Sequence, residues 1–271
     1  MVQLKRKYKR VWALIGDTHV GSRHAIFPRG IKTREGNTLA LSRGQELLLN
    51  YWDEFSRICN DFEVDTVIHF GDAVEGLNPL EKGRGLMISE LEVQKKAFDK
   101  LMTPLVSGRK FLMLEGSDYH GSVDTSVNEQ MCEKLGGKYL GHSSEMDIEG
   151  TNKRIQVSHG GDESSKVLSK ILDSNNLFDI QMKVKEKLPN VSIVARAHSH
   201  KFAHIHLPNH HIILIPCWKC NEPEGKLGSK SFLKFVPDIG GVILLIDDSN
   251  RVSIFHFLFN PPKIGDHAIK V

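Results

Sequence analysis

Five short apolar runs in this chain are each followed at once, or within a few residues, by an aspartate or a histidine. Apolar runs of this length that end in turn residues are typical of buried strands. Because open α/β sheets bind their ligands at the ends of their strands, the pattern predicts strand ends that converge on one polar pocket. In chain order the five segments are Asp17-Thr18-His19, Gly71-Asp72, Gly116 to His120, His159, and His198-Ser199-His200.

The periodicity of the apolar residues predicts alternating strands and helices in the first half of the chain and mostly strands in the second. Such alternation is typical of parallel strands joined by helices. We therefore expect an α/β fold in which two facing mixed β-sheets are flanked by helices, an α/β/β/α sandwich. The predicted strands are 11–15, 64–70, 110–115, 153–158, 191–197, 203–208, 211–216, 241–247 and 252–259, and the predicted helices are 41–60, 88–107, 124–135 and 163–187.

Length and composition point to one soluble domain. The 271 residues, of which 40% are hydrophobic, can bury a large core. We expect a single domain over residues 1–271 with a basic arm over residues 1–10. No apolar run approaches the roughly 20 residues that cross a bilayer, and charges stand where a signal peptide needs apolar residues. Four scattered cysteines do not form a disulfide framework. We expect a cytoplasmic protein, or one inside the host cell if the chain is viral, without a membrane partner.

Each aspartate motif has an ordinary structural interpretation beside the functional one. Asp17 and His19 alternate by two, so a continuing strand would direct both side chains at one cation. A D-x-H segment by itself is more often a turn or a helix cap. Gly71-Asp72 is likewise an ordinary turn, yet its glycine lets the backbone approach a metal closely, and its carboxylate can bridge two cations.

The histidine motifs also allow two interpretations. His198 and His200 are again spaced by two, and His159 ends another predicted strand. Imidazole is the commonest transition-metal ligand, but these histidines also lie in a histidine-rich region that could be a polar strand edge. His204 and His206 alternate with apolar residues, which favours the solvated face of a half-buried strand outside the site.

Taken together, the ordered motifs resemble those of the calcineurin-like metallophosphoesterase superfamily, from residue 17 to residue 200. The resemblance implies that Asp72 bridges two metals. It also implies that the first metal is bound by Asp17, His19 and His200. The second metal is then bound by His159 and His198. Ala197 stands where the family usually has the glycine of G-H-x-H, and still leaves room for the backbone.

The third motif departs from the family's G-N-H-D/E pattern. The family's asparagine ligand and its leaving-group histidine should follow Gly116, where this chain has Ser117, Asp118, Tyr119 and His120. A one-residue shift makes Asp118 the oxygen ligand and His120 the catalytic imidazole, and this is the assignment we favour. Without the shift, Ser117 is a poor ligand. In the alternative interpretation, Asp118 and His120 only shape the turn.

The resemblance implies hydrolysis of phosphate esters with two divalent metal ions. Two cations about 3.5–4 Å apart would hold a bridging hydroxide that attacks the phosphorus, while His120 assists the leaving group. Mixed Asp and His ligands suit manganese, which we expect, as well as iron, zinc or nickel. We expect a phosphodiesterase or nuclease, near the family's DNA-repair exonuclease branch and its viral homologues. The alternatives are a phosphomonoesterase or a protein phosphatase.

The expected preference for diesters depends on basic residues near the motifs. Cations in loops 20–40 and 73–90, together with those of the basic arm, suit a nucleic-acid or nucleotide partner. The predicted substrate-binding residues are Arg23, Lys82 and Arg84. The net charge of only +3 permits nucleic-acid binding without arguing for it, and exposed Lys and Arg are common on loops in any case.

A second class of hypothesis treats the chain as a binding protein. It could be a degenerate phosphoesterase that holds metal as a scaffold or binds nucleic acid without catalysis, an interpretation that the altered third motif favours. It could also be a zinc module built on Cys217 and Cys220 with His210 and His211, although a strand-end turn with a packed Trp218 explains that segment more simply. The six other ligand positions favour activity, because burying such groups without metal is unfavourable.

Overall fold

A computed structural model of the chain describes residues 8–77, 83, 85–117, 127–160, 190–220 and 236–261. Within these ranges the chain forms three helices and eleven strands. In chain order they are β1 (Tyr8–Ile15), α1 (Arg43–Asp61), β2 (Thr66–His69), α2 (Leu91–Val106), β3 (Lys110–Met113), α3 (Val127–Lys134), β4 (Lys138–Tyr139), β5 (Ser143–Asp147), β6 (Arg154–Ser158), β7 (Ile193–Arg196), β8 (Ala203–Leu207), β9 (His210–Leu214), β10 (Ile239–Asp247) and β11 (Val252–Phe259).

The first sheet has six strands in the order β11-β10-β1-β2-β3-β4. The strands β1 to β4 run parallel to one another, with Ala13 opposite Val67 and Val67 opposite Phe111. β10 pairs antiparallel with β1, and β11 pairs antiparallel with β10. The carboxyl ends of β1 and β2 therefore lie side by side at one edge of the layer.

The second sheet has five strands in the order β5-β6-β7-β9-β8. Its three central strands β6, β7 and β9 are parallel, and its two outer strands are antiparallel to their neighbours. The carboxyl ends of β6 and β7 are again adjacent. The two sheets face each other across a buried apolar layer that includes Leu14, Ile68 and Leu244 from the first sheet and Ile155 and Ile213 from the second.

A second apolar layer covers the outer face of the first sheet. Phe55 of α1 and Phe98 of α2 are fully buried there in one cluster with Ala13 and Ile243. Burial of each large apolar side chain stabilises the fold by roughly 1.5–3 kcal/mol. The predicted class, an α/β fold of two facing mixed sheets flanked by helices, is confirmed.

Helix α1 begins at a capping box that also fixes a loop near the site. The Ser42 hydroxyl accepts a hydrogen bond from Gln45 N at 3.2 Å, and Ser42 N donates to Gln45 Oε1 at 3.1 Å. The buried Gln45 side chain then donates to Ser22 O and Ala25 O, both at 3.2 Å. The helix terminus thus holds the loop that follows β1.

Some predictions about elements need correction or fall outside the described ranges. β4 and β5 were not predicted, because β4 has only two residues and the five residues of β5, SSEMD, are polar. The predicted helix over 163–187 and residues 1–7 of the basic arm lie outside the described residues. Across the described part of the chain, no helix combines the length and apolar character that crossing a membrane requires.

Candidate metal centre

The predicted site residues follow the carboxyl ends of four strands, two from each sheet. Asp17 follows β1 and Asp72 follows β2, while His159 follows β6 and the pair His198 and His200 follows β7. A hydrogen bond joins the two sheets at this point, because His198 N donates to Asp17 Oδ2 at 3.0 Å. Facing sheets thus bring together residues that are up to 183 positions apart in the sequence, from Asp17 to His200.

One group of potential ligands consists of Asp17, His19 and His200, whose donor atoms lie within 4.8 Å of one another. His19 Nε2 and His200 Nε2 are 3.2 Å apart. Asp17 Oδ1 lies 3.7 Å from His200 Nε2 and 4.0 Å from His19 Nε2. Asp17 and His19 are almost fully buried, whereas the His200 side chain is 28% exposed.

A second group consists of Asp72, His159 and His198, also within 4.8 Å of one another. Asp72 Oδ2 contacts His159 Nε2 at 3.1 Å and lies 3.9 Å from His19 Nε2 in the first group. His159 Nδ1 is 2.5 Å from Phe70 O, a contact that assigns its proton to Nδ1 and directs Nε2 into the centre. Asp72 is therefore the residue at which the two groups meet.

The backbone at the site is left-handed, which corrects the expectation that strand geometry continues through the D-x-H and H-x-H pairs. β1 ends at Ile15 and β7 at Arg196, before the ligand pairs begin. Left-handed backbone is uncommon for residues other than glycine and concentrates at functional sites. Five of the eight such residues in the described ranges belong to the centre, namely Asp17 (φ 50°), His19 (φ 44°), Asp72 (φ 48°), His198 (φ 77°) and His200 (φ 53°).

Two glycines permit the close approach of segments around Asp72. A Cβ at Gly71 would lie 2.3 Å from Glu115 O, and one at Gly116 would lie 2.2 Å from Asp72 Oδ1. Neither position can accept a side chain without displacing its neighbours. By contrast, Ala197 is fully buried in the apolar layer between the sheets, so alanine fits where the family usually has glycine.

Burial and crowding shift the pKa values of the acidic and basic groups. Burial, together with the neighbouring Asp72 carboxylate, raises the pKa of Asp17 to about 7 against the opposing influence of His159. Burial alone would lower the pKa of His159, but the Asp72 carboxylate and the Asp17 carboxylate raise it to about 9. Burial lowers the pKa of His200 to about 3.

These residues fit a cation. Asp17 Oδ1 is buried without a hydrogen-bond partner among the described residues, while the Nε2 atoms of His19 and His200 lie 4.0 and 3.7 Å from it. Leaving a buried carboxylate oxygen unsatisfied is unfavourable, and a cation placed among these nitrogens would remove that penalty. Carboxylate oxygen together with imidazole nitrogen is a donor set that transition metals accept.

Sequence reasoning missed a buried histidine beneath the site. Gly71 N donates to His69 Nδ1 at 3.2 Å, so the proton of the neutral ring is on Nε2, which lies 3.0 Å from Thr18 Oγ1. The Thr18 hydroxyl in turn donates to Ala73 O at 2.9 Å. Burial lowers the pKa of His69 to about 3, which keeps the ring neutral. This chain of hydrogen bonds joins the loops that carry Asp17 and Asp72.

Two further residues of the site, Glu75 and Lys219, were also missed. Glu75 Oε2 lies 3.0 Å from His19 Nδ1, and Lys219 Nζ contacts the two Glu75 oxygens at 2.8 and 2.9 Å. A carboxylate three residues after Asp72 was the available signal for Glu75. No local pattern indicated Lys219, because it is 144 positions from its partner.

The third motif is described only as far as Ser117. Ser117 N donates to Asp72 Oδ1 at 2.7 Å, and the Ser117 hydroxyl lies 3.0 and 3.1 Å from the two Asp72 oxygens. Ser117 therefore holds the Asp72 carboxylate. Asp118 and His120, the predicted ligand and catalytic imidazole, lie outside the described residues.

Of the three predicted substrate-binding residues, the structure describes one. Arg23 is exposed, and it joins the two predicted substrate loops, because its N donates to Gly85 O and its Nε donates to Leu86 O, both at 2.8 Å. Arg29 and Arg34 of the same loop pair with the carboxylates of Glu46 and Glu90. Lys82 and Arg84 lie outside the described residues.

The alternative zinc module does not form in the described part of the chain. Cys217 and Cys220 are buried free thiols and belong to neither group of converging potential ligands. His210 Nδ1 lies 2.8 Å from Val191 O, and His211 Nδ1 lies 3.0 Å from His204 Nε2. Trp218 is fully buried, as the simpler interpretation of a strand-end turn predicted.

Neither a model of a protein family nor a curated protein matches this chain. Among solved structures, it is similar to an archaeal phosphodiesterase at 13% identity, covering 91% of this chain and 99% of that one, with a TM-score of 0.45. It is also similar to wild-type Vps29 of Entamoeba histolytica complexed with Zn²⁺, at 16% identity, 92% and 99% coverage and a TM-score of 0.43. A putative 5'-nucleotidase from Staphylococcus aureus in complex with alpha-ketoglutarate is 10% identical, with 96% of this chain and 56% of that one covered and a TM-score of 0.44.

Similarities with TM-scores of 0.43 to 0.45 do not by themselves establish a common fold. The fold class of this chain follows instead from its own strand order and facing sheets, and the candidate centre follows from the positions of its own aspartates and histidines.

Proposed function

We propose that this protein is a two-metal-dependent phosphoesterase. The observation that carries the proposal is that Asp17, His19 and His200 form one group of potential ligands, Asp72, His159 and His198 form another, and Asp72 Oδ2 lies within 4 Å of both. The proposed ligands of the first ion are those of the first group, and the proposed bridge is Asp72. Manganese is the proposed metal, with iron, zinc or nickel as alternatives.

When bound, the cations supply Lewis-acid stabilisation of negative charge on phosphoryl oxygens and lower the pKa of water. The protein contributes the placement of the ligands. The Phe70 carbonyl and the Glu75 carboxylate fix the orientation of His159 and His19, and Ser117 fixes Asp72. Because these groups are held before substrate arrives, little reorganisation is needed during the reaction.

Replacement of the proposed bridge tests this proposal. In Asp72→Asn we expect loss of bound metal and of activity, because the amide supplies only one oxygen and no charge to the two cations. Metal content of the purified proteins and turnover of a chromogenic phosphodiester with added Mn²⁺ are the measurements. Asp248→Asn, in the exposed turn after β10, removes a carboxylate elsewhere and should leave both values unchanged. Unchanged metal content and activity in Asp72→Asn would rule the two-metal site out.

For the third motif we keep the shifted assignment, in which Asp118 is a ligand of the second ion and His120 assists the leaving group. His120→Ala should then retain its metals and lose roughly 10²-fold or more in turnover, most strongly for poor leaving groups. Asp118→Ala should lose one of two ions. If His120→Ala loses metal while Asp118→Ala keeps it, the two roles are reversed.

The proposed substrate is a phosphodiester, and the proposed partner is nucleic acid. Support comes from exposed Arg23, which joins the two loops that follow Asp17 and Asp72 in the chain. Replacing Lys82 and Arg84 together by alanine should raise the Michaelis constant for DNA while sparing a small chromogenic diester. DNA binding should weaken steeply as salt rises.

The competing functions predict different outcomes in the same assays. A phosphomonoesterase or protein phosphatase would turn over monoesters at least as well as diesters and would not shorten DNA. A degenerate scaffold would bind metal and hydrolyse neither class of ester. A monoester preference, together with DNA binding no tighter than that of an unrelated protein of similar charge, would leave the metallophosphoesterase proposal standing and eliminate the nuclease.

A further inference from the structure

The segment Cys217 to Cys220 crosses directly beside the candidate centre. Trp218 N donates to Asp17 O at 3.0 Å, and Cys220 N donates to His24 O at 2.9 Å. The backbone of Lys219 also forms a bridge with Ala25. These contacts fix the segment to the loop that carries Asp17 and His19, so the Lys219 side chain has a defined place next to the proposed ligands.

The Lys219 side chain forms an ion pair with the Glu75 carboxylate. Its Nζ lies 2.8 Å from Glu75 Oε1 and 2.9 Å from Glu75 Oε2, so both oxygens face the same cation. The Lys219 side chain is 15% exposed and that of Glu75 is 3% exposed. Because water screens a pair this deeply placed only weakly, the ammonium strongly restricts the orientation of the carboxylate.

The oriented carboxylate reaches His19. Glu75 Oε2 lies 3.0 Å from His19 Nδ1, within ion-pair distance. A carboxylate at this atom favours the tautomer with the proton on Nδ1, which leaves the lone pair on Nε2. His19 Nε2 is the atom that faces His200 Nε2 at 3.2 Å and Asp72 Oδ2 at 3.9 Å.

We propose that Lys219 is a positioning residue for the first metal ligand group, acting through Glu75 to hold the His19 imidazole with an unprotonated Nε2 directed into the candidate centre. The inference rests on the proposed function and adds a residue that no part of the ligand pattern contains. It also gives the Cys217 to Cys220 segment a role other than zinc binding. Lys219 touches neither the proposed ligands' donor atoms nor substrate in this role.

The test compares Lys219→Met, Lys219→Arg and the matched control Lys95→Met. Lys95 is similarly placed, with an 18% exposed side chain that contacts Glu92 at 2.8 Å, but it lies on α2. Titration of each metal-free protein with Mn²⁺ gives the affinity of each ion. Lys219→Met should lower the affinity for one of the two ions about 10-fold or more. Lys219→Arg should restore most of that affinity, and Lys95→Met should match wild type.

A second readout separates positioning from general support of the fold. Nitrogen chemical shifts of ¹⁵N-labelled histidine in the metal-free protein at alkaline pH report the tautomer of His19. Wild type and Lys219→Arg should have the proton on Nδ1, and Lys219→Met should have a mixture. If Lys219→Met does not fold, Glu75→Gln, which keeps the shape of the side chain, takes its place with the same expectations for affinity and tautomer.

The outcomes distinguish this inference from the proposed function. If wild type binds two ions and Lys219→Met binds them equally well with an unchanged tautomer, the positioning role is wrong and the phosphoesterase proposal stands. If the affinities for both ions fall together in Lys219→Met and the unfolding temperature also falls, Lys219 only supports the fold. If wild type binds no metal, the proposed function fails, and the tautomer measurement alone decides whether Lys219 positions His19.

Discussion

At the scale of single residues, each proposed ligand is placed by groups other than its own side chain. Left-handed backbone turns Asp17 and Asp72 toward the centre, and a carbonyl or a carboxylate fixes the ring of His159 or His19. Such supporting contacts typically change metal affinity by about 10–100-fold when they are removed. The precision of the candidate site is therefore a property of its surroundings as much as of its ligands.

Gly116 gives a test at this scale. In Gly116→Ala the new Cβ would lie 2.2 Å from Asp72 Oδ1 and 2.5 Å from Asp72 N, so the carboxylate must move. We expect metal affinity to fall at least about 10-fold and stability by about 1–3 kcal/mol. Metal titration and urea unfolding measure the two effects.

Gly136→Ala is the control for this substitution. Gly136 has φ 70° and no atom within 4 Å of a new Cβ, so alanine there introduces backbone strain without a collision. It should lower stability by about 1 kcal/mol and leave metal affinity unchanged. Equal metal affinities in the two variants would show that the space at Gly116 does not matter to Asp72.

At the scale of elements, the paired strands β8 and β9 of the second sheet carry a group of histidines apart from the centre. His204 Nε2 lies 3.0 Å from His211 Nδ1, and the rings of His206 and His211 stack with centroids 4.3 Å apart. Burial, together with the neighbouring His206, His204, Lys153 and His210, lowers the pKa of His211 from 6.5 to about 4. Burial also lowers the pKa of His204.

These pKa values predict loss of stability in acid. The folded state favours neutral His211 with a pKa of about 4, whereas the unfolded chain takes up the proton near 6.5. Stability from this residue is complete above pH 6.5 and falls as the pH drops from 6.5 toward 4. The free energy of unfolding measured in urea should therefore differ less between pH 7.5 and pH 5 in His211→Asn than in wild type. The exposed His142→Asn should behave as wild type, and an equal pH effect in all three proteins would contradict the prediction.

At the scale of the whole molecule, the candidate centre spans both sheets. Asp17, His19 and Asp72 come from loops of the first sheet, and His159, His198 and His200 come from the second. Metal bound at this position would link two layers that otherwise meet through the apolar side chains between them and a few hydrogen bonds. Binding to the folded state alone stabilises that state in proportion to the logarithm of metal concentration.

Metal should therefore protect the entire fold against heat. At a concentration 100-fold above the dissociation constant, the gain is about 2.7 kcal/mol, which raises the unfolding temperature by roughly 5–10 °C. Calorimetry of the metal-free protein with increasing Mn²⁺ measures the shift, and a chelator should reverse it. Asp72→Asn should not show the shift. An unfolding temperature that is independent of metal in the wild type would argue against a centre that links the sheets.

The sequence by itself indicated the six aspartates and histidines that converge in the candidate centre, and most of the elements that carry them. Asp17, Asp72, His159 and His198 are recognisable because each follows a local apolar run, and a strand or helix period is readable within one window of sequence. The facing of two mixed sheets also followed, since strands with few intervening helices must cover one another's apolar faces.

Only the tertiary structure decided how distant segments meet. β10 joins the first sheet by antiparallel pairing with β1, a strand more than 200 positions away, and β11 then pairs antiparallel with β10. The left-handed backbone at five of the proposed ligands contradicts the local expectation of a continuing strand. The close packing of Gly71 and Gly116 around Asp72 likewise exists only in the folded chain. Lys219 and Glu75 meet across 144 positions. A pair interaction of this kind leaves no local pattern, because its energy exists only after both sheets have folded.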